Sequence, residues 1–181
     1  MKATQLTVSR IITYLHIRAI NPCSSRGVLQ LGHREFPCFL GLKGRTRRKR
    51  EGDGKSPIGR WKLEILNYRP DKIGRPLSQL PTRPAKTFDG WCDAAGQGAY
   101  NRRVKLPFAA SHEDLWRKDE AYDLMVTTNH NQRPRIQGRG SAIFLHVVRQ
   151  GAKGTEGCIA LSERHLRIVL GQCGRKTYLV I

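Results

Sequence analysis

Acidic side chains are scarce in this chain: 14 Asp and Glu stand against 33 Lys and Arg, a formal charge of +19. That imbalance gives the surface a potential that draws in polyanions and acidic substrates, and by charge alone it does not choose between them. No Cys-x-x-Cys pair occurs. Cys23, Cys38, Cys92, Cys158 and Cys173 are scattered and odd in number, which removes the usual zinc and dithiol patterns. The four besides Cys158 would allow two disulfides in an oxidising compartment, and free buried thiols are the preferred expectation. Long apolar runs are missing too, so nothing approaches the ~20 residues that span a bilayer as a helix. Residues 1–20 carry Lys2 and Arg10, but Ile11 and Ile12 are soon followed by Tyr14, His16 and Arg18. This is not the continuous apolar core and small-residue cleavage site of a signal peptide. Gly52-x-Gly54-Lys55-Ser56 lacks the spacing of a P-loop. Internal repeats and low-complexity tracts are absent as well.

What is present reads as one globular domain. A chain of 181 residues with 39% hydrophobic side chains can bury a sizeable core. Residues 12–20 alternate as a first strand with Leu15, Ile17 and Ala19 on one side, which makes 1–25 a lead-in to a main body over 26–181. Residues 28–40 read as a hairpin turning at Gly32-His33, with Pro37 placing its second strand at an edge or bulge. The basic run 43–50 reads first as a solvated loop and second as a holder of anionic polymer. A turn-rich loop over 52–59 enters a strand at 60–66. Residues 67–111, rich in Pro and Gly, form a loop-rich insertion of the kind that serves as a lid or binding loop, and Trp91 and Tyr100 are its candidate groove aromatics. Strands follow at 122–128 and 176–181. Strands outnumber helices, so the fold class is mainly β, a curved mixed sheet or β-sandwich with one short helix after Cys158.

The chemistry concentrates in residues 140–161. The apolar run Gly-Ser-Ala-Ile-Phe-Leu-His-Val-Val at 140–148 delivers His146, a loop rich in Gly intervenes, and Thr-Glu-Gly-Cys-Ile-Ala-Leu at 155–161 presents Cys158. A thiol attacks as thiolate and needs a neighbour to take its proton, a role that suits imidazole. Gly157 permits a sharp turn and close approach of a carbonyl to the amides of Gly157 and Cys158, a candidate oxyanion hole. Ser162 reads as the N-cap of a helix over 163–171 with Leu166, Val169 and Leu170 on one face, which would set Cys158 just before a helix start. Either residue alone would more often be structural. Together in one strand, loop and glycine-cysteine unit they read as a nucleophile and its base.

These residues also carry a resemblance. His146, the loop, the segment 155–161 and the capped helix resemble the signature of L,D-transpeptidases of the YkuD (ErfK/YbiS/YcfS/YnhG) family, which reads His, a loop, then Ser-x-Gly-Cys-Ile/Val-Arg-Leu. Upstream, Asp-Gly-Lys-Ser-Pro-Ile-Gly-Arg-Trp at 53–61 is similar to the family's Asp-Gly-x-Thr-Pro-x-Gly-x-Phe, about ninety residues earlier. Three departures stand out: Thr155 replaces Ser, Ala160 replaces Arg, and only twelve positions separate His146 from Cys158. The resemblance spans about 26–181. It implies a YkuD-like β fold, a cysteine acyltransferase acting on peptidoglycan stem peptides through a Cys158 thioester, no metal or organic cofactor, and work at the periplasm or cell envelope. The leader-poor start keeps a cytoplasmic location open. Beside Cys158, His146 and Gly157, the candidate substrate contacts are Thr155, His130, Arg139, Arg149 and Trp91, with the two arginines as replacements for the missing guanidinium. Two other readings compete: the same site with water as acceptor, an amidase or L,D-carboxypeptidase, and a non-catalytic basic module for nucleic acid or anionic polymer, with nucleic acid the less favoured partner.

Overall fold

In a computed structural model of the chain, residues 11–181 are described, so Lys2 and Arg10 lie outside the described residues. The strands run β1 (Tyr14–Ala19), β2 (Arg26–Leu31), β3 (Arg34–Phe39), β4 (Arg45–Thr46), β5 (Ser56–Pro57), β6 (Arg60–Tyr68), β7 (Thr82–Pro84), β8 (Asp89–Cys92), β9 (Arg102–Lys105), β10 (His112–Asp114), β11 (Leu124–Thr128), β12 (Phe144–Val147), β13 (Ile159–Leu161) and β14 (Tyr178–Val180). The helix α1 (Glu163–Leu170) stands between the last two. The fold is mainly β, as the alternating sequence patterns require.

Local pattern becomes structure most directly at the start. In β1 the alternation buries Leu15 and Ile17 and exposes their neighbours. The β2–β3 hairpin turns at Gly32 and His33 with Leu31 opposite Arg34, and Gly32 takes a positive φ of 58°. Pro37 lies opposite Val28 on the β2 side, while β13 touches β3 only at Phe39. The missing N–H therefore falls on a stretch whose other edge is unpaired.

The large sheet has the order β11-β12-β13-β3-β2-β1-β14-β6-β7, and a further pairing of β11 with β6 closes its first eight strands into a ring. Three parallel pairings are built into it: β1 with β14, β12 with β13, and β6 with β7. Inside the ring lies the main core, drawing Leu15 and Ile17 from β1, Leu63 and Leu66 from β6, Leu145 and Val147 from β12, and Ile159 and Leu161 from β13. Each such side chain contributes roughly 1.5–3 kcal/mol of transfer free energy. The helix closes one end. Ser162 Oγ accepts from His165 N–H at 3.3 Å, and Leu166, Val169 and Leu170 are the buried face.

The insertion is more ordered than its Pro and Gly content implies. Asn67 and Tyr68 still belong to β6, β7 joins the main sheet, and β8, β9 and β10 form a separate three-stranded sheet. Buried Asp89 fastens that small sheet, accepting from Arg83 at 3.0 Å and forming an ion pair with Arg103 at 2.9 Å. A second core fills the space between this cover and the outer face of the ring: Trp91, Leu115, Tyr122, Met125, Phe144 and Cys158 among others. Strands β11, β12 and β13 thus divide their side chains between two cores, and the site lies on the outer one. All five cysteines are free.

Candidate active site

The register of β12 and β13 brings the two key residues together. These strands run parallel with Leu145 opposite Ile159 and His146 opposite Ala160. Since side chains alternate and paired residues share a face, Phe144, His146, Cys158 and Ala160 all project outward, away from the main core. Cys158 and His146 are therefore neighbours on one face across adjacent strands. Both line a cleft of about 340 Å³, which Asp93 of the insertion, Glu113, Arg117 and Tyr122 after it, and Thr155, Ala160 and Arg149 also line. Its size is that of an ordinary small-ligand site.

Each side chain is held by short-range structure. The Cys158 thiol donates to Ala142 O at 3.1 Å and accepts from Phe144 N–H at 3.3 Å. Ala142 takes a positive φ of 49°, a conformation unusual for a residue with a Cβ, and it aims its carbonyl at the sulfur. Gly157 has φ 139°, and a Cβ there would sit 2.9 Å from Lys55 O. The turn before Cys158 therefore requires glycine. Thr155 Oγ1 clamps that turn, donating to Cys158 O at 2.7 Å and accepting from Gly157 N–H at 3.1 Å. In His146 the Nδ1 lies 2.8 Å from Val147 O. A carbonyl only accepts, so Nδ1 carries the proton and Nε2 is left as the basic nitrogen. The ring stands edge-on to Tyr122, centroids 5.4 Å apart.

Electrostatics in the closed site favour neutral partners. Burial pushes the Cys158 thiol up to about 12 and pulls the His146 imidazole down to about 4. At neutral pH the pair is thiol and free base, with no standing ion pair. A nearby helix start does not relieve this. The three residues of β13 separate Cys158 from Ser162, so the helix begins a whole strand away and its dipole acts on Glu163 instead. The expected thiolate-favouring position is thus corrected. The oxyanion pair also changes, because the Gly157 amide is already bound by Thr155 Oγ1 in the resting site.

The remaining candidates separate into lining and bracing residues. Arg149 lines the cleft and lies 3.8 Å from Asp119, whereas Arg139 is exposed and is not among the cleft residues. Trp91 is buried beneath the cleft wall. It packs edge-on to Phe144 at 5.2 Å and donates from Nε1 to Asn101 Oδ1 at 3.0 Å. Asn101, itself buried, also receives the Ala142 N–H at 3.2 Å and donates to His130 O at 3.0 Å. Buried His130 sits edge-on to Trp61, centroids 4.5 Å apart, with Nε2 3.3 Å from Arg139 O. Trp91 and His130 therefore brace the segment that carries Ala142, and neither lines the cleft. Tyr100, the other groove aromatic, is buried with its hydroxyl 2.5 Å from Glu51.

Sequence reasoning missed several lining residues, four of which shape the site's charge. Lys49 belongs to the run that looked like a solvated loop, yet it is buried and paired with Asp53 at 2.5 Å. The i,i+4 acid was the available signal. Arg117 reaches the cleft from the cover, stacked over Tyr122 at 5.3 Å and paired with Asp119 at 2.7 Å. It supplies a guanidinium near His146, on the side where Ala160 offers only a methyl group. Glu113 and Asp93 also line the cleft. Desolvation raises the Glu113 carboxyl above the usual range, and the 3.0 Å hydrogen bond from Tyr122 OH partly offsets it.

The Thr155 clamp gives a direct prediction. Thr155→Val is expected to cost about 1–2 kcal/mol in thermal unfolding, because two polar groups of the turn lose their partner. Thr155→Ser should restore it. Equal stability of the Val and Ser variants would show that the hydroxyl does not hold the turn.

Among known proteins, the family model YkuD, described as the L,D-transpeptidase catalytic domain, matches residues 28–181. No curated protein and no solved structure matches the chain.

Proposed function

Because the chain belongs to the YkuD family of L,D-transpeptidase catalytic domains, enzymes that act on peptidoglycan peptides, we propose that Cys158 is acylated by the stem peptide and that an amine resolves the thioester. The observation carrying this reading is the shared outward face of Cys158 and His146 inside one cleft. In the first half-reaction the thiol proton moves to His146 Nε2 as Sγ bonds to the carbonyl carbon at the third stem residue. The C–N bond to the terminal D-amino acid then breaks, and the proton on Nε2 leaves with its amine. In the second half-reaction an acceptor amine attacks the thioester carbon, the C–S bond breaks, and the sulfur recovers a proton. The Cys158 amide and another cleft donor, such as the Arg117 guanidinium, would face the oxyanion.

Water in place of the amine turns the same site into an L,D-carboxypeptidase. Ala160 favours that outcome by leaving space beside His146 where the family signature has an arginine. The place of action in this reading is the cell envelope. No described helix is long and apolar enough to cross a membrane.

Intact mass of the protein incubated with a stem tetrapeptide, and separately with a carbapenem, tests the nucleophile. Wild type is expected to gain an acyl mass that Cys158→Ser lacks. Released D-alanine with a crosslinked product identifies a transferase, and released D-alanine alone a hydrolase. Folded wild type with a reduced thiol and no adduct from either reagent would sink the reading and bring forward a basic module acting through exposed Lys43, Arg47, Arg48 and Arg50.

A further inference from the structure

The cleft is an acidic place in a basic protein. Four of the chain's 14 carboxylates line it: Glu51, Asp93, Glu113 and Glu156. Its cations pair more closely with acids that do not line it, Lys49 with Asp53 at 2.5 Å and Arg117 with Asp119 at 2.7 Å, with Arg149 3.8 Å from Asp119; of the lining acids Glu113 pairs, with Arg117 at 3.9 Å. Two of the carboxylates have hydroxyl partners, Tyr100 on Glu51 and Tyr122 on Glu113. Asp93 and Glu156 make no ion pair among the described residues. A second observation is independent of charge. Ser141, only 6% exposed, lines the same cleft with its Oγ buried and without a hydrogen-bond partner, and Asp93 Oδ1 is buried and unpartnered too. Buried polar atoms of this kind mark a place where a partner belongs.

We propose that Asp93, Glu156 and Ser141 form a subsite for a primary ammonium group of the substrate. An ammonium is a compact point charge with three donors, which suits oxygen acceptors on separate side chains better than the flat fork of a guanidinium does. No cluster of three metal-ligating side chains occurs among the described residues, so a divalent cation is the poorer occupant. The charge of Glu156 also reaches Cys158, and those of Asp93 and Glu156 reach Glu113, which keeps the subsite within range of the reacting sulfur. An ammonium here would bring its charge to the carbonyl end of the substrate, from the acyl donor's side chain or from the incoming acceptor. This assignment rests on the acyl-transfer reading for its role, though not for the binding itself.

Binding is tested first, by amide chemical shifts of the intact protein titrated with butylammonium chloride at fixed ionic strength. Saturable shifts at Asp93, Ser141 and Glu156 are expected, with affinity falling about tenfold in Asp93→Asn, the scale of one charge-assisted hydrogen bond. Glu35→Gln, which removes an equal charge from the β2–β3 hairpin, should change nothing. Shifts absent in wild type, or equal losses in both variants, overturn the subsite whatever the enzyme does. Two kinetic arms then locate the ammonium. If it belongs to the donor, a tetrapeptide with lysine at its third position acylates Cys158 faster than the Nε-acetyl-lysine version, and Asp93→Asn erases the difference. If it belongs to the acceptor, the preformed acyl-enzyme partitions to butylamine over water, and the same variant erases that preference. Acylation without discrimination in either arm removes the subsite and leaves the nucleophile standing. No acylation at all removes the acyl-transfer reading, while the titration still decides the subsite.

Discussion

Replacing His146 with Gln is expected to slow acylation of Cys158 by on the order of 10³-fold, the range for loss of a positioned general base. The effect should be this large because the thiol is held neutral: burial raises it to about 12, so almost no thiolate exists at pH 7 and the proton must be removed during attack. The imidazole carries its proton on Nδ1, which faces Val147 O, so Nε2 is the basic nitrogen for that task. The pH profile carries the sharper test. Burial lowers the imidazole to about 4, so its basic form is lost only as pH falls through that value, well below the ordinary 6.5. The acid limb of the wild-type acylation rate should therefore fall near pH 4, with no inflection from this pair up to pH 9. Alkylation by iodoacetamide, followed in a Cys23→Ser background because Cys23 is exposed, should be slow at neutral pH and rise with pH. A limb at pH 6–7, or rapid alkylation that is flat with pH, would mean a standing thiolate–imidazolium pair and would refute the neutral-pair account.

Lys49→Met should be the costliest of the polar substitutions in stability, at about 2–3 kcal/mol. Lys49 and Asp53 are 6% and 18% exposed, and the carboxylate also receives the amides of Arg50 and Lys55, both at 2.9 Å. Desolvation pushes the Asp53 carboxyl up, but the Lys49 hydrogen bond, those two amides and the Lys49 charge together hold it below its usual value. The methionine stem keeps most of the packing and removes only the charge, leaving a carboxylate without its cation. For a domain of this size the loss corresponds to roughly 4–12 °C in Tm. The sign in pH follows from the lowered pKa. The ion pair contributes above the unfolded carboxyl's pKa and is lost as pH falls through the folded one, so the gap between wild type and variant should narrow from pH 7 to pH 3. A gap of constant size would point to packing instead. Activity should fall as well, because a Cβ on Gly157 would lie 3.2 Å from Lys49 Nζ, which places the ammonium against the turn before Cys158.

Local chemistry was readable from the sequence and long-range assembly was not. The β2–β3 hairpin, the alternation of β1 and the capped α1 each write their geometry within a dozen residues, and all three appear where the pattern put them. That Cys158 and His146 come together was legible for the same reason, since a strand, a loop and a glycine-cysteine step lie in one short stretch. Residues 159–161 were less so. An apolar triplet before an N-cap reads equally as helix approach or as buried strand, and only its pairing with β12 and β3 decides. The cover's contribution was hidden because Asp93, Glu113 and Arg117 reach the cleft through tertiary folding of an irregular segment. Lys49 was hidden because a basic run says nothing about which one of its members is buried. Ring closure through β11 and β6 has no local signature at all.

That ring has a consequence for the order of events in synthesis. Its first strand, β1, and the long β6 are not neighbours. The gap between them is filled by β14, parallel to β1 at Tyr14–Tyr178 and antiparallel to β6 at Lys62–Tyr178. Everything from 14 to 170 can leave the ribosome and still lack the piece that joins one half of the wall to the other. Until β14 emerges, β1 and β6 present open edges and Cys158 sits on an unsealed wall. The wall that carries the site is therefore closed only once β14 has been made and has joined β1 to β6.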